Sequence, residues 1–408
     1  MSTATLLPHL QTLRSRLPFL TLAEQERAVA EAEEAVEAAA LVKPFTLADL
    51  KIRTKKRELL QFLPNPVQVE YLDELLPNWQ DGDYKLSGRR EIILKARQFG
   101  FSTLIAALFF LDTITTPRTY TVVVAHEADS TERLFQIVKR FYENLPAELR
   151  PRTKYANRRE FYWPDLDSTY FVGTAGASDF GRSATINNAH LSECAFWPDA
   201  EDLISGLLQS VPHDGNVFVE STANGLGNWY HDEFQASHLR QDSTFKSRFY
   251  AWFQHHEYQM PAPEGFELNQ EERQLVGAHS LTPEQLTWRR AKKVELRDKF
   301  PQEYPSTAQE AFLATGGRVL EEFKPELAPA GHLCPFFKPP RSWRHLLVID
   351  PGWNTTAGLF AAVDPDGQLW LYHEVYEHHK RPDEIMRALH ACWEGFGKPN
   401  FDVIMDPS

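Results

Sequence analysis

From about residue 62 to 250, short continuous apolar runs alternate with stretches of helical periodicity. The runs at 92–96, 120–125, 168–172, 186–191 and 216–220 predict strands, and 130–145 predicts a helix between two of them. Unbroken apolar runs suit strands buried on both faces, and strands alternating with helices suggest a parallel, helix-covered sheet. Ligands of such sheets sit beyond the carboxyl ends of the strands, so the residues just after these runs should carry the chemistry.

Before this region, residues 1–60 read as a helical segment. Thr21 and Glu24 fit a capping box that opens an Ala/Glu-rich run, and Pro44 stops it. Lys51, Arg53, Lys55, Lys56 and Arg57 then form a basic cluster, read either as a solvated helix face or as a contact to nucleic acid or a partner. After the 61–250 core comes a subdomain at 251–332, richer in polar residues, aromatics and proline, with helices expected over 282–300. Pro335, Pro339 and Pro340 mark a linker into a last domain, 333–408. There 345–350, 356–363 and 368–376 predict three strands, 382–394 a helix and 401–405 a fourth strand. Asp364-Pro365-Asp366-Gly367 supplies a turn.

Composition narrows the class. The chain has 408 residues and a net charge of −13, which disfavours a uniformly basic coat but not a local basic groove. Cys194, Cys334 and Cys392 are scattered and odd in number, so neither a disulfide framework nor a zinc spacing emerges. The longest apolar run, 104–111, is far short of the ~20 residues that span a bilayer. Without a signal-peptide pattern, the chain reads as a soluble protein of the cytoplasm.

The chemistry begins at Lys95-Ala96-Arg97-Gln98-Phe99-Gly100-Phe101-Ser102-Thr103, a strand end, a tight turn and a helix start. A phosphate loop reads G-x-x-x-x-G-K-[ST]; here Lys95 stands at the first glycine and Phe101 at the lysine, so the strict pattern fails. The physical requirements are backbone N–H groups at a helix N-terminus, a cation and a hydroxyl for Mg²⁺. Gly100, Ser102 or Thr103, and Lys95 or Arg97 can meet them. An ordinary strand-to-helix turn is the competing reading. The run 185–193 ends in Ser192-Glu193, where two acids would hold Mg²⁺ and orient the attacking water. Glu193 becomes the candidate base and Ser192 a weaker metal-side group. Gln68 has an amide suited to adenine; a solvent-facing helix glutamine is the alternative. Arg182, in a glycine-bounded loop, is either an arginine finger for a neighbouring subunit or a surface ion pair. Ser221, Thr222 and Asn224, after the 216–220 run, could sense the γ-phosphate.

In this order, these segments resemble the large terminase subunit of tailed bacteriophages. The matching positions are Gln68, then Arg97-Gln98-Phe99-Gly100 with Ser102 and Thr103, then Glu193, then Ser221-Thr222-Ala223-Asn224-Gly225. The stretch from Phe300 to Phe312 looks like that family's lid signature. The departures are Phe101 for the loop lysine and Ser192 for the first acid, with Lys95 and Arg97 as compensating cations. The resemblance implies an α/β fold: a P-loop NTPase, a parallel sheet with flanking helices, followed by a partial ribonuclease-H-like α/β domain. It implies ATP and Mg²⁺, double-stranded DNA, a small terminase subunit, a portal protein and a homo-oligomeric ring docked on the procapsid in the host cytoplasm.

Asp350 ends the first strand of the last domain and Asp406 ends the fourth. In the ribonuclease-H-type order these strands are neighbours, so the carboxylates would converge on two Mg²⁺ or Mn²⁺ ions that activate water for phosphodiester cleavage. Two turn aspartates are the alternative, and Glu374 is a weaker third ligand. The resemblance implies a further strand and acid beyond Ser408, so this polypeptide is expected to be a fragment that cleaves DNA poorly. Arg289, Arg290, Lys292 and Lys293 are either a DNA-tracking face or a solvated one. His255, His256, His378 and His379 read as surface histidines. Trp197 is a candidate lining of the nucleotide cleft. The rivals are a helicase-like translocase without nuclease activity and a nucleotide-binding scaffold that has lost hydrolysis.

Overall fold

The structure is a computed structural model, and it describes residues 21, 24–25, 27–29, 45–147, 150–156, 159–176, 185–240, 243–313, 327–328, 331–352, 355–378 and 380–405. The chain divides into two compact units, residues 1–317 and 318–408. The predicted cap is present: Thr21 N and Oγ1 donate to Glu24 Oε2 at 2.8 and 2.6 Å. Most of the Ala/Glu-rich run lies outside the described residues.

The basic cluster is not helical. Strand β1 (Lys51–Arg53) pairs antiparallel with β2 (Leu59–Gln61), and Lys55, Lys56 and Arg57 fall in the connecting turn. Arg57 takes a left-handed φ of +67°, and Lys55 is ion-paired with Glu257 at 3.1 Å. The polar tract between two short strand-forming runs closes a hairpin, and a stretch this short would nucleate a helix poorly.

Helix α1 (Pro66–Leu75) starts with Asn65 as cap and proline at its first position, where the missing N–H costs nothing. Then β3 (Arg90–Lys95), α2 (Phe101–Thr115), β4 (Tyr120–Ala125) and α3 (Ala128–Glu143) alternate. An antiparallel excursion follows, β5 (Tyr155–Ala156), β6 (Glu160–Trp163) and β7 (Ser168–Thr174), which the apolar pattern signalled only at its last strand. Next come β8 (Asn188–Ser192), α4 (Ala200–Leu208), β9 (Asn216–Ser221), α5 (Trp229–Gln235) and β10 (Lys246–Tyr250). The sheet has eight strands in the order β10-β3-β9-β8-β4-β7-β6-β5. All pairs are parallel except β6 with β7 and β5 with β6. Strand β10 was not foreseen: it is an edge strand that carries charge, and Arg248 in it reaches Glu91 of β3 at 2.6 Å.

The two faces of the sheet read off the period of two. Ile93, Val123 and Phe218 pack into one core with α2, while Ile92, Leu94, Val122, Val217 and Val219 pack into another on the opposite face. α2 is apolar nearly all round because it lies under the first core with most of its residues buried.

Past the sheet, α6 (Gln270–His279), α7 (Pro283–Leu296), α8 (Phe300–Glu303) and α9 (Ala308–Leu313) follow. The basic face of α7 is paired within the protein. Arg289 meets Glu271 at 2.5 Å, Arg290 meets Glu272 at 2.6 Å, Lys292 meets Glu295 at 2.5 Å and Lys293 meets Glu271 at 3.1 Å. His255 is not a surface residue either: it is buried and stacks on Tyr258, with ring centroids 4.3 Å apart.

The second unit holds β11 (Arg344–Pro351), β12 (Thr355–Val363), β13 (Leu369–His378), α10 (Pro382–Gly395) and β14 (Phe401–Met405), as the pattern predicted. Strand order is β13-β12-β11-β14, with β14 parallel to β11 and the other pairs antiparallel. α10 lies close against β12 at Gly358, where a Cβ would stand 2.6 Å from Leu389 Cδ2. Asp364 is a turn former: its Oδ1 accepts from Asp366 N at 2.9 Å and Gln368 N at 2.8 Å.

Candidate functional site

Register brings one set of side chains together at the carboxyl ends of three adjacent strands. Ile93 of β3 lies opposite Glu220 of β9, and Glu220 lies opposite Ser192 of β8. Residues opposite one another share a face, and so do residues two apart. Lys95, His190, Ser192 and Glu220 therefore project to the face that α2 covers, where the first turn of α2 presents Ser102.

These groups are bonded to one another. Lys95 Nζ lies 3.1 Å from Glu193 Oε1 and 3.0 Å from Glu220 Oε2. Glu220 Oε1 accepts from Ser102 Oγ and Ser192 Oγ, both at 2.7 Å, and lies 3.3 Å from His190 Nε2. Glu220 is fully buried. Burial would raise its carboxyl, but Lys95 beside it, with His190 and Ser192, holds it well below the usual carboxylate range. Burial would push the Lys95 ammonium down; the Glu193 and Glu220 carboxylates outweigh that and hold it above the ordinary lysine range.

Glu193 follows β8 with a left-handed φ of +51°. That turn swings its carboxylate back over the sheet, where Oε2 accepts from Thr222 N at 3.2 Å and Ser221 Oγ at 3.3 Å. Ser221 Oγ also accepts from Ala195 N at 3.2 Å, and Asn224 Nδ2 donates to Ala195 O at 3.0 Å. The small polar residues after β9 thus fasten the turn that carries Glu193. Trp197 does not line a cleft: it is buried, and its Nε1 donates to Ser192 O at 3.1 Å.

The loop between β3 and α2 is held open by left-handed residues, Gln98 at φ +61° and Gly100 at +79°. Gln98 is exposed, and Ser102 and Thr103 are half-buried in the first turn of α2. Phe101 is corrected by the structure. It is fully buried, edge-on to Tyr71 at 5.4 Å and tilted on Tyr250 at 4.6 Å, so its ring belongs to the core and only its backbone faces the loop. Gln68 is not solvent-facing; it is buried inside the capping box of α1. Its Nε2 donates to Gly100 O at 2.9 Å and its Oε1 accepts from Asn65 N at 3.0 Å.

Arg97 is the exposed cation of the loop. Its side chain is 62% exposed and pairs with Glu303 at 3.0 Å, while its N–H donates to Glu303 O at 2.9 Å. The adjacent Gln302 donates to Ala223 O at 2.9 Å. So α8 touches both the phosphate-type loop and the loop after β9, a link that no spacing in the sequence announced. Glu220 and His190 were also missed; the one available signal was a carboxylate closing an otherwise apolar strand. Arg182 lies outside the described residues.

The donor set suits a nucleotide and a divalent cation. α2 begins at a left-handed Gly100 with no side-chain cap on its N-terminus, and a half-buried serine hydroxyl stands against a buried carboxylate there.

In the second unit, Asp350 is exposed near the end of β11, on the face away from α10. Ile349 pairs with Met405 of β14; Asp406 lies outside the described residues. Glu374 stands on β13, two strands from β11 and so about 10 Å to the side, too far to converge directly on Asp350. Among the described residues no group of three or more His, Cys, Asp or Glu side chains could hold a metal ion, and no helix is long and apolar enough to cross a membrane.

No family model matches the chain, and no curated protein matches it. Solved structures do. The HK97 bacteriophage large terminase is 15% identical with a TM-score of 0.45, over 85% of this chain and 70% of that one. The ATPase domain of the Thermus phage P74-26 large terminase is 20% identical with a TM-score of 0.39, over 60% of this chain and 98% of that one. The large terminase of a thermophilic bacteriophage, solved in complex with ADP, is 13% identical with a TM-score of 0.36, over 78% and 72%. At these values likeness alone decides no function; these three solved structures are large terminases of bacteriophages.

Proposed function

We propose that the chain is an ATP-hydrolysing motor of the large-terminase kind, which moves double-stranded viral DNA into a procapsid and carries a metal-dependent nuclease in its second unit. One observation carries the motor reading. Glu193, at the end of β8, is held by the loop after β9 and stands 3.1 Å from Lys95, beside a loop built to receive phosphate. A carboxylate so placed orients and deprotonates water for attack on a terminal phosphoryl group.

The division of labour follows from the positions. Backbone amides around Gly100 and the N-terminus of α2 bind phosphate. Arg97 brings its positive charge from the exposed side of the loop, and Lys95 from the sheet side. Ser102 is the hydroxyl placed to meet Mg²⁺, which when bound neutralises phosphate charge. Ser221, Thr222 and Asn224 report the state of Glu193 to the loop after β9, and Gln302 and Glu303 pass it to the lid. Arg182 from a neighbouring copy in a ring is the proposed finger. A small terminase subunit, a portal protein and other copies of the chain are the proposed partners, in the host cytoplasm.

For the nuclease, the support is the parallel pairing of β11 with β14 and the register Ile349 to Met405, which places Asp350 at the end of the shared edge. Asp350 and Asp406 are its proposed metal ligands, for Mg²⁺ or Mn²⁺.

The test is phosphate release from ATP by the purified chain, with and without double-stranded DNA. Glu193→Gln is expected to lower turnover by about 100-fold or more while retaining ATP binding. Turnover equal to the parent's would end the motor reading. For the second unit, Asp350→Asn should abolish any Mn²⁺-dependent nicking of supercoiled plasmid; nicking retained by the variant would remove the nuclease assignment.

A further inference from the structure

We infer that Glu220, with the hydroxyls of Ser102 and Ser192, forms the divalent-cation site of the nucleotide cleft, so that the metal carboxylate stands on β9 instead of at the end of β8. The inference rests on the nucleotide reading above and specifies which side chains of this chain meet the cation.

The chemistry asks for an acid. Mg²⁺ binds through one or two carboxylates together with substrate phosphates and water, and prefers oxygen ligands throughout. β8 ends in Ser192, so the strand that carries the water-orienting Glu193 offers no acid at the preceding position. The neighbouring strand offers one, because β8 and β9 run parallel and put Ser192 beside Glu220.

The spacing agrees. Adjacent ligands of an octahedron with ~2.1 Å bonds stand ~3.0 Å apart. Ser102 Oγ and Ser192 Oγ each lie 2.7 Å from Glu220 Oε1, so each hydroxyl already sits near that separation from the carboxylate oxygen. In this structure the two hydroxyl protons, with His190 Nε2 at 3.3 Å, occupy the Oε1 lone pairs that a cation would take. Oε2 faces Lys95 at 3.0 Å and, among the described residues, has no hydrogen-bond donor beyond that ion pair.

Charge agrees as well. Two carboxylates, Glu193 and Glu220, share one ammonium, Lys95, around a fully buried oxygen pair. That leaves one net negative charge across a fully buried Glu220 and a 29%-exposed Glu193, and the buried member is costly unless it is paired further. A divalent cation reverses the sign and makes the cleft attractive to a triphosphate. Glu193 is the poorer ligand: its Oε2 is committed to Thr222 N and Ser221 Oγ and its Oε1 to Lys95.

The competing account makes Glu220 a structural counterion for Lys95, with the cation touching Ser102 alone. Mn²⁺ serves as the paramagnetic probe, titrated into the full chain with the slowly hydrolysed analogue ATPγS. Glu220→Gln is expected to weaken Mn²⁺ binding in the ATPγS complex by about 10–100-fold, while metal-free ATPγS binding should not weaken, because the variant removes a negative charge beside Lys95. Adding Ser192→Asp to Glu220→Gln should restore Mn²⁺ binding, because that acid faces the same point from β8. Should Glu220→Gln fail to fold, Ser102→Ala and Ser192→Ala keep every charge and should each weaken Mn²⁺ binding. Parent-like Mn²⁺ affinity in folded Glu220→Gln, or in both hydroxyl variants, overturns the assignment and leaves the nucleotide reading standing. A parent chain that binds no ATPγS overturns both.

Discussion

Lys95 Nζ lies 3.1 Å from Glu193 Oε1, so the sheet-side cation of the loop and the carboxylate at the end of β8 neutralise one another. A triphosphate that recruits Lys95 would release Glu193 for water, which couples binding to activation through one ion pair. Lys95 and Arg97 then differ in kind. Lys95 is almost fully buried between two acids, whereas Arg97 is 62% exposed beside Glu303. Removing one partner of a buried pair strands the other charge and costs about 3–5 kcal/mol, while an exposed pair contributes about 0–1 kcal/mol. Lys95→Ala should therefore lower stability by several kcal/mol in urea titrations and impair hydrolysis. Arg97→Ala should leave the urea midpoint nearly unchanged and weaken ATP binding by about tenfold. If both variants kept full ATPase activity, neither residue would be the compensating cation for Phe101.

Helix α8 is tied to the site by two neighbouring residues. Gln302 donates to Ala223 O at 2.9 Å, and Glu303 holds Arg97 by backbone and side chain. Any movement of the loop after β9 has this short route to α8. Gln302→Ala should leave KM for ATP within about twofold and lower kcat several-fold, because it removes an alignment and not a phosphate contact. Steady-state kinetics separate the cases: a raised KM with unchanged kcat would place Gln302 in binding instead.

Gly100 and Gln68 hold the loop as a unit. A Cβ at Gly100 would stand 2.8 Å from Gln68 Nε2, and the backbone there is left-handed at φ +79°. Gly100→Ala should cost about 1–2 kcal/mol for the φ alone, plus the displaced amide. Gln68→Ala removes the amide first, so the double variant should lose less than the two single losses combined. Urea midpoints for the four proteins complete the cycle; strict additivity would mean that the amide and the loop do not interact.

Much of this architecture was legible because apolar period and turn residues carry it. The predicted runs 92–96, 186–191 and 216–220 fall on the adjacent parallel strands β3, β8 and β9, which end at Lys95, Ser192 and Ser221, and the strand–strand–strand–helix–strand order of the second unit reads directly from its pattern. What was illegible depends on register and on contacts distant in sequence. Glu220 looked like the tail of a strand until its pairing with Ser192 put it beside Ser102. Phe101 held the place of a lysine, and only the position of Tyr71 and Tyr250 shows that its ring is core. The basic run at 51–57 has charge density suited to a helix face, yet it folds as a hairpin because β1 finds β2 across a turn. Charges on α7 read as a free face, since the acids that pair them, Glu271 and Glu272, lie on a different helix.

His255 gives the protein a pH dependence of predictable sign. Burial against Tyr258 and Phe99 lowers its pKa to about 4; Glu257 opposes the shift, while His256 and Lys55 add to it. In the unfolded chain a histidine titrates near about 6.5. Between those values the unfolded state binds the extra proton, so stability must rise with pH. The stabilisation is fully present above about pH 6.5 and is lost as pH falls towards about 4, by up to about 1.4 kcal/mol per pH unit inside the window. His255→Phe keeps the stacking area and removes the titration. Urea midpoints at pH 7.5 and 5 should diverge for the parent and converge for the variant. An equal slope in both proteins would assign the acid sensitivity to another group; it would not be Glu74, whose carboxyl is held down to about 2 by Arg248 and Lys246 and whose contribution is lost only below the usual carboxylate range.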